Sequence, residues 1–155
     1  SIRWGVMITG QRSTPEYDFL FAAGAEDGRR IVFQWKVSND LDRQQAYFQD
    51  FINAALNYVF PFLLERAEAR LATGLPMKIG PCRVTRNGIH FQVKGWVFTD
   101  EHFVSWHRVR LTVENGDVSI FDAIDPKKRT TFPLRDTDNA PLLRALVNIK
   151  NGRDD

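Results

Sequence analysis

The stretch TDEHFVSWH, residues 99–107, gathers side chains that could bind a metal ion. Its candidate ligands are Asp100, Glu101, His102 and His107. A protein zinc site needs three or four such ligands converging on one point. On a strand, His102 and His107 point to opposite faces because they lie an odd number of positions apart. We therefore predict no metal site and interpret the stretch as a polar turn leading into a strand.

A nucleophile activated by a base would be a second kind of chemistry. Ser105 and His107 share a strand face, but a hydrolytic triad also needs an orienting group and an oxyanion hole. The single cysteine, Cys82, is predicted to face the core, where burial disfavours the reactive thiolate. The sequence contains neither Gly-x-x-x-x-Gly-Lys nor Gly-x-Gly-x-x-Gly, the glycine-rich motifs that hold phosphates. We predict a protein that is not an enzyme and has no cofactor.

A basic segment is the remaining chemical signal, and it suits an anionic ligand. The chain has no acidic residue between Lys78 and Lys94. The predicted ligand-binding residues are Lys78, Arg83, Arg86 and Lys94. Arg83 and Arg86 diverge on a regular strand, although a residue beside the turn can swing back toward its tip. The alternative is that these cations form only the solvated face of a hairpin.

Paired turn residues between alternating apolar runs predict three β-hairpins. With Asn115-Gly116 as a two-residue turn, Val113 lies opposite Val118 and Leu111 lies opposite Ile120. An Asn87-Gly88 turn would place Val84 opposite Phe91, Cys82 opposite Val93, Arg83 opposite Gln92 and Thr85 opposite His90. The third hairpin would use Asp27-Gly28 to join residues 18–23 to residues 30–38.

Helical periodicity begins after Asp40, where apolar residues recur at spacings of three and four. The pattern predicts a long amphipathic helix to about Thr73, with a kink or break near Phe60 because Pro61 removes a backbone donor. A closing helix is predicted over residues 140–149, with Asp138 or Asn139 as its cap. This order predicts an α+β fold: a curved, barrel-like antiparallel sheet, a long helix after the first three strands and a C-terminal helix. Residues 1–152 would form one domain, with residues 153–155 as a flexible tail.

Composition restricts the possible partners. The formal net charge is only +2, too small to favour long-range attraction to nucleic acid, so we expect no nucleic-acid partner. The longest strongly apolar run, residues 54–64, falls short of the ~20 residues that cross a membrane. One cysteine suits a reducing compartment, so a cytoplasmic location is expected. The chain begins at Ser1, without a recognisable signal peptide, and is expected to be a domain of a longer protein.

Three segments of the second half resemble bacterial pleckstrin-homology-like (PH-like) domains, including the GRAM type. They are GPCRVTRNGIHF at 80–91, FVSWHRVRLTVENGDVSIF at 103–121 and the apolar helix at 140–149. Trp106 and Val109 fit the family's W-x-x-V/I strand, and the resemblance covers mainly residues 77–150. The resemblance implies a barrel-like sheet, a capping helix and phosphoinositide binding through a lysine followed by a basic-x-arginine pair. Here Thr85 stands where the second basic residue should fall, and Arg86 follows it.

Two functions are compatible with these observations. In the first, the chain is a non-catalytic PH-like module that docks to a protein partner or to anionic lipid headgroups. It would then belong to a larger membrane-associated protein, at the inner face of a membrane. In the second, it is a self-association or scaffold domain. The long helix would then form a homo-oligomer through the face that carries Tyr47, Ala54 and Tyr58.

Overall fold

The computed structural model describes residues 1–11, 14–24, 29–94 and 99–152, with the backbone alone at residues 10, 11, 14 and 94. Its strands are β1 (Ile2–Gln11), β2 (Thr14–Gly24), β3 (Arg30–Val37), β4 (Met77–Ile79), β5 (Cys82–Thr85), β6 (Gly88–Lys94), β7 (Thr99–Ser105), β8 (Val109–Glu114), β9 (Asp117–Asp122) and β10 (Arg129–Pro133). Its helices are α1 (Leu41–Tyr58), α2 (Phe60–Ala72) and α3 (Ala140–Lys150), and Trp106–Arg108 form a 3-10 turn between β7 and β8. The predicted tail, residues 153–155, and the turn Asp27-Gly28 lie outside the described residues.

The described strands form three antiparallel sheets, which confirms the α+β class. Their orders are β1-β2-β3, β4-β5-β6-β7 and β10-β9-β8. Among the described residues these sheets do not join into a closed barrel. The barrel-like curvature and the single domain therefore stay predictions.

The β8–β9 hairpin has the predicted register. Leu111 pairs with Ile120, and Val113 pairs with Val118. Asn115 has a φ of 51° and Gly116 a φ of 85°, so both turn residues adopt the left-handed conformation that a type I′ turn requires. The β2–β3 pairing is also present, with Ala23 opposite Ile31.

The predicted register of β5 and β6 is wrong by two residues. Val84 pairs with Ile89, Arg83 with His90, and Thr85 with Gly88, so the turn is made by residues 86–87. An Asn-Gly type I′ turn needs a positive φ at both residues. Asn87 is not among the residues with positive φ, so this turn does not form at residues 87–88. Because side chains alternate with a period of two, the slip leaves every side chain on its predicted face.

Gly88 is instead required by the neighbouring strand β7. A Cβ atom on Gly88 would lie 2.1 Å from the carbonyl oxygen of Val104, well inside the contact distance. The glycine therefore allows β6 and β7 to approach closely, and its pairing with Ser105 continues their ladder. This contact joins residues far apart in sequence, so the turn pattern alone could not predict it.

The predicted helix break is confirmed at Val59, between α1 and α2. Pro61 occupies the first turn of α2, where a missing backbone donor costs least. In α3 the capping position is Asn139, but its side chain does not cap the helix. Its Oδ1 accepts a 3.0 Å hydrogen bond from the backbone N–H of Ile2, and its own N–H donates to the Ile2 carbonyl at 2.7 Å. Asn139 therefore attaches β1 to the C-terminal half.

Two apolar cores lie on either side of the helix break. The first joins the β1–β3 sheet to α1 through buried residues such as Phe19 and Phe48, and the second joins the other two sheets to α2 and α3. Leu63 packs against both. A buried ion pair adds a polar link, because Arg135 Nη2 lies 2.9 Å from Asp18 Oδ2. The pair therefore links the segment after β10 to β2 of the N-terminal sheet.

Candidate functional site

Two of the predicted ligand-binding cations come together on the exposed face of the β4–β7 sheet. Lys78 of β4 pairs directly with Arg83 of β5, and both side chains are exposed. Arg83 in turn lies opposite His90 of β6. Lys78 and Arg83 therefore form a cross-strand basic pair, as neighbouring residues on one sheet face do.

Arg83 is already paired with an acidic residue that lies outside the basic segment. Its Nη2 donates to Glu101 Oε1 at 2.8 Å, and the two side chains are 50% and 56% exposed. The hydrogen bond from Arg83 lowers the pKa of Glu101. Burial, and then the Arg83 guanidinium, lower the pKa of His90, which disfavours its positively charged form. The basic face is therefore weaker than the sequence predicts.

Arg86 lies apart from this pair, in the β5–β6 turn. It is exposed, and the Trp106 Nε1–H donates to its carbonyl oxygen at 2.9 Å, which anchors the turn. A spacing of three residues from Arg83 corresponds to about 10 Å along a strand. The fourth predicted residue, Lys94, ends β6, and its side chain lies outside the described residues. Of the four predicted cations, the structure brings together Lys78 and Arg83.

Lys78 also borders a wide groove between α2 and β4, which we call the α2–β4 groove. It has a volume of about 1220 Å³ and is lined by Val59, Phe62, Leu63, Arg66, Ala67, Ala69, Arg70, Thr73, residues 75–78, Ser1, Gly24, Asn139 and Leu142. The cations of this lining are Arg66, Arg70 and Lys78, and no carboxylate lines the groove among the described residues. It is therefore both apolar and basic.

One face of α2 forms a wall of the groove. Phe62, Arg66 and Arg70 follow each other at intervals of four and so share one helix face. The Arg66 guanidinium lies 5.9 Å from the centre of the Phe62 ring, and Arg70 Nε donates to the Pro76 carbonyl oxygen at 3.0 Å. This regular spacing was the signal in the sequence from which the two arginines could have been found.

The groove also carries unusually accessible apolar side chains. Phe62 is 60% exposed on α2, and Leu75, in the connection from α2 to β4, is 55% exposed. Burying apolar surface stabilises a complex by roughly 25 cal/mol per Å². A ligand with both apolar and acidic groups would therefore satisfy both kinds of lining.

The polar groups of the TDEHFVSWH segment have separate partners. His102 Nε2 lies 3.2 Å from Asp122 Oδ2, while His107 Nε2 lies 3.5 Å from the Ser105 hydroxyl. No set of three or more metal-ligating side chains converges among the described residues. The His107 and Ser105 side chains are solvent-accessible, and no carboxylate is placed to orient His107 in the described part of the chain.

Asp122 is the most strongly perturbed carboxyl group in this region. Its side chain is fully inaccessible to solvent, it receives hydrogen bonds from the Arg108 guanidinium, and the Ile124 N–H donates to it at 3.0 Å. The hydrogen bonds from Arg108, opposed by burial, lower the pKa of Asp122 to about 2. The carboxylate is therefore held by structural contacts that join β9 to β7 and the 3-10 turn.

Cys82 is buried, as predicted, with 1% of its surface exposed. Burial raises the pKa of its thiol to about 12. At neutral pH the sulfur therefore remains protonated and is a poor nucleophile.

Comparisons with known proteins do not assign the chain to a family. No protein-family model, curated protein or solved structure matches it. Within the described residues, none of the helices is long and apolar enough to cross a membrane. The PH-like resemblance therefore stays a prediction.

Proposed function

We propose that this chain is a non-catalytic binding module, of PH-like type, that docks an acidic amphipathic segment of a protein partner. The observation that carries the proposal is the α2–β4 groove, which is lined by both cationic and exposed apolar side chains. Acidic side chains of the partner would pair with Arg70 and Lys78. Its apolar side chains would cover Phe62 and Leu75.

The shape of the groove favours a peptide over a lipid surface. A bilayer presents a broad surface, whereas the groove is a bounded space of about 1220 Å³ between α2 and β4. An extended or helical segment can enter such a space and make contacts along both walls. The β4–β7 face, the site first predicted for anionic headgroups, is less suitable because Glu101 already pairs with Arg83.

The contacts of the reactive residue types support a binding role over catalysis. Asp122 is held by Arg108 and lies beside His102, and Cys82 is buried and protonated. In this proposal the chain recognises and positions a partner, and a neighbouring part of a larger protein would supply any further activity.

A peptide-binding experiment tests the proposal directly. The probe is a short fluorescein-labelled peptide in which Leu alternates with Glu, and its counterpart carries Lys in place of Glu. The test variant is Arg70→Glu with Lys78→Glu. Exposed charge pairs each contribute up to about 1 kcal/mol, so reversing two charges should weaken binding about tenfold or more.

A matched control exists at the start of β10 and in the loop before it. Lys127 and Arg129 are exposed, and Arg129 Nε donates to the Pro126 carbonyl oxygen as Arg70 does to that of Pro76. Lys127→Glu with Arg129→Glu should leave peptide binding unchanged. The proposal is refuted if the acidic peptide does not bind saturably, or if both double variants weaken it equally. It is also refuted if the chain binds phosphatidylserine vesicles and not the peptide.

Self-association is a second candidate because the predicted helix face is exposed. Tyr47 is 45% exposed and Tyr58 is 83% exposed. Large apolar side chains in one stripe along a helix commonly mark an interface. Light scattering should then show a dimer that Tyr58→Lys converts to a monomer, and a wild-type monomer at high concentration would exclude this function.

A further inference from the structure

A smaller cleft lies at the junction of the two cores, separate from the α2–β4 groove. It has a volume of about 440 Å³. Its walls come from Trp4 of β1, Phe60 at the helix break, Val113 of β8, and Arg144 and Ala145 of α3. It shares no lining residue with the groove.

The lining of this cleft is almost entirely apolar. Arg144 is its only charged side chain, and the Trp4 indole N–H is the other side-chain donor. Within the described part of the chain, Arg144 is exposed and makes no hydrogen bond or ion pair. An apolar cleft with one unpaired cation at its rim is thus ready to accept one anionic group.

We propose that this cleft binds a small amphiphile with an apolar body and a single carboxylate. The volume lies within the ~300–1,000 Å³ of small-molecule sites, which are mostly apolar with a few placed polar groups. The apolar body would lie against Trp4, Phe60 and Val113. The carboxylate would receive two parallel hydrogen bonds from the Arg144 guanidinium, a geometry that guanidinium and carboxylate groups match well.

The number and type of polar groups define this ligand class. A peptide brings a backbone donor and acceptor at each residue, and this cleft offers few partners for them. A cationic amphiphile would place its charge beside Arg144, and a neutral alcohol would forgo the charge-assisted hydrogen bonds. A monoanionic amphiphile therefore fits better than either.

The position of the cleft gives binding a measurable consequence. Because Trp4 belongs to the N-terminal sheet and Val113 and Arg144 to the C-terminal half, a bound molecule contacts both parts of the fold. A ligand that binds only the native state raises the melting temperature as its concentration exceeds Kd. Stabilisation and occupancy should therefore rise together.

Decanoate tests the proposal, with 1-decanol and decyltrimethylammonium as neutral and cationic counterparts. The two ions are used below their micelle-forming concentrations and the alcohol below its solubility limit. We expect saturable one-to-one binding of decanoate in calorimetry. In heteronuclear NMR spectra the indole N–H resonance of Trp4 should shift while those of Trp35 and Trp106 stay in place.

Two variants separate the contribution of the Arg144 charge to binding from that of the cleft volume. Arg144→Gln should weaken decanoate binding about tenfold or more and leave 1-decanol within about twofold, because only the carboxylate uses the guanidinium. Ala145→Phe should fill the cleft and abolish binding of both. The control Arg129→Gln, on the exposed start of β10, should change neither.

Three results would overturn the proposal: no saturable decanoate binding, decanoate affinity unchanged in Arg144→Gln, or equal affinity for decanoate and decyltrimethylammonium. Because Arg144→Gln is a surface substitution, it remains informative even if Ala145→Phe does not fold. The outcome is independent of the peptide experiment, since no residue lines both sites.

Discussion

Replacing Asp122 with asparagine tests the inference that its charge, and not only its shape, stabilises the fold. Asn has nearly the same volume but cannot accept the ionic hydrogen bonds that Arg108 donates. His102, 3.2 Å from Oδ2, would also lose its charged neighbour. Asp122→Asn should therefore destabilise the protein without opening a cavity.

The size of the effect follows from the pKa of Asp122, lowered from 3.8 to about 2. Each unit of difference between folded and unfolded states corresponds to 1.36 kcal/mol, so the upper limit is about 2.4 kcal/mol. Arg108 is 35% exposed, and screening by water reduces the contribution. We expect a loss of about 1–2 kcal/mol at neutral pH, or a melting temperature lower by about 2–8 °C.

The pH dependence distinguishes this mechanism from a loss of packing. Between pH 4 and pH 2 the unfolded Asp122 binds a proton before the folded one does, so the stabilisation is present above about 3.8 and is lost as pH falls through about 2. The difference in unfolding free energy between wild type and Asp122→Asn should shrink over that range. Urea titrations at several pH values measure it directly.

A control on the same strand isolates the effect. Asp117 of β9 is exposed, so Asp117→Asn should change stability by less than about 0.5 kcal/mol at any of these pH values. If the Asp122→Asn difference stayed constant from pH 5 to pH 2, or matched that of Asp117→Asn, the charge-based explanation would be refuted.

Two further predictions concern the strands around the basic face. Gly88→Ala should destabilise the protein by at least about 3 kcal/mol or prevent folding, because the new Cβ would overlap the Val104 carbonyl oxygen. Gly116→Ala should cost only about 1 kcal/mol, because its Cβ would meet nothing within 4 Å and only the positive φ opposes it. Urea unfolding compares them, and equal losses would contradict the close-approach argument. Cys82, with a thiol pKa of about 12 and 1% exposure, should react with a disulfide reagent only as fast as the protein opens, so rapid labelling of the native protein at pH 8 would contradict its burial.

The hairpins show which part of the fold could be predicted from sequence. Asn115 and Gly116 adopt the positive φ values of their turn, so a local pattern was enough to give the β8–β9 register. For β5 and β6 the same pattern failed, because Gly88 is fixed by a contact with Val104 on β7. The predicted faces of β5 and β6 were nevertheless correct, because the register error was an even number of residues.

The candidate sites depend more strongly on contacts that are remote in sequence. Strand alternation was enough to place Arg83 on the exposed face, but Glu101 reaches Arg83 only through the pairing of β6 with β7. The α2–β4 groove depends on the position of α2 relative to β4, and packing of the second core sets that position. A sequence pattern identifies the face of an element, whereas the partner of that face depends on tertiary structure.

The break at Val59 explains why one helical segment contributes to two different sites. Val59 lines the α2–β4 groove, and the next residue, Phe60, lines the apolar cleft. Consecutive helical residues point about 100° apart, so the two side chains diverge at the point where α1 and α2 separate. Pro61 places that break, which lets α1 pack on the N-terminal sheet and α2 on the C-terminal core. The proline that the sequence marks as an interruption therefore determines where both candidate sites form.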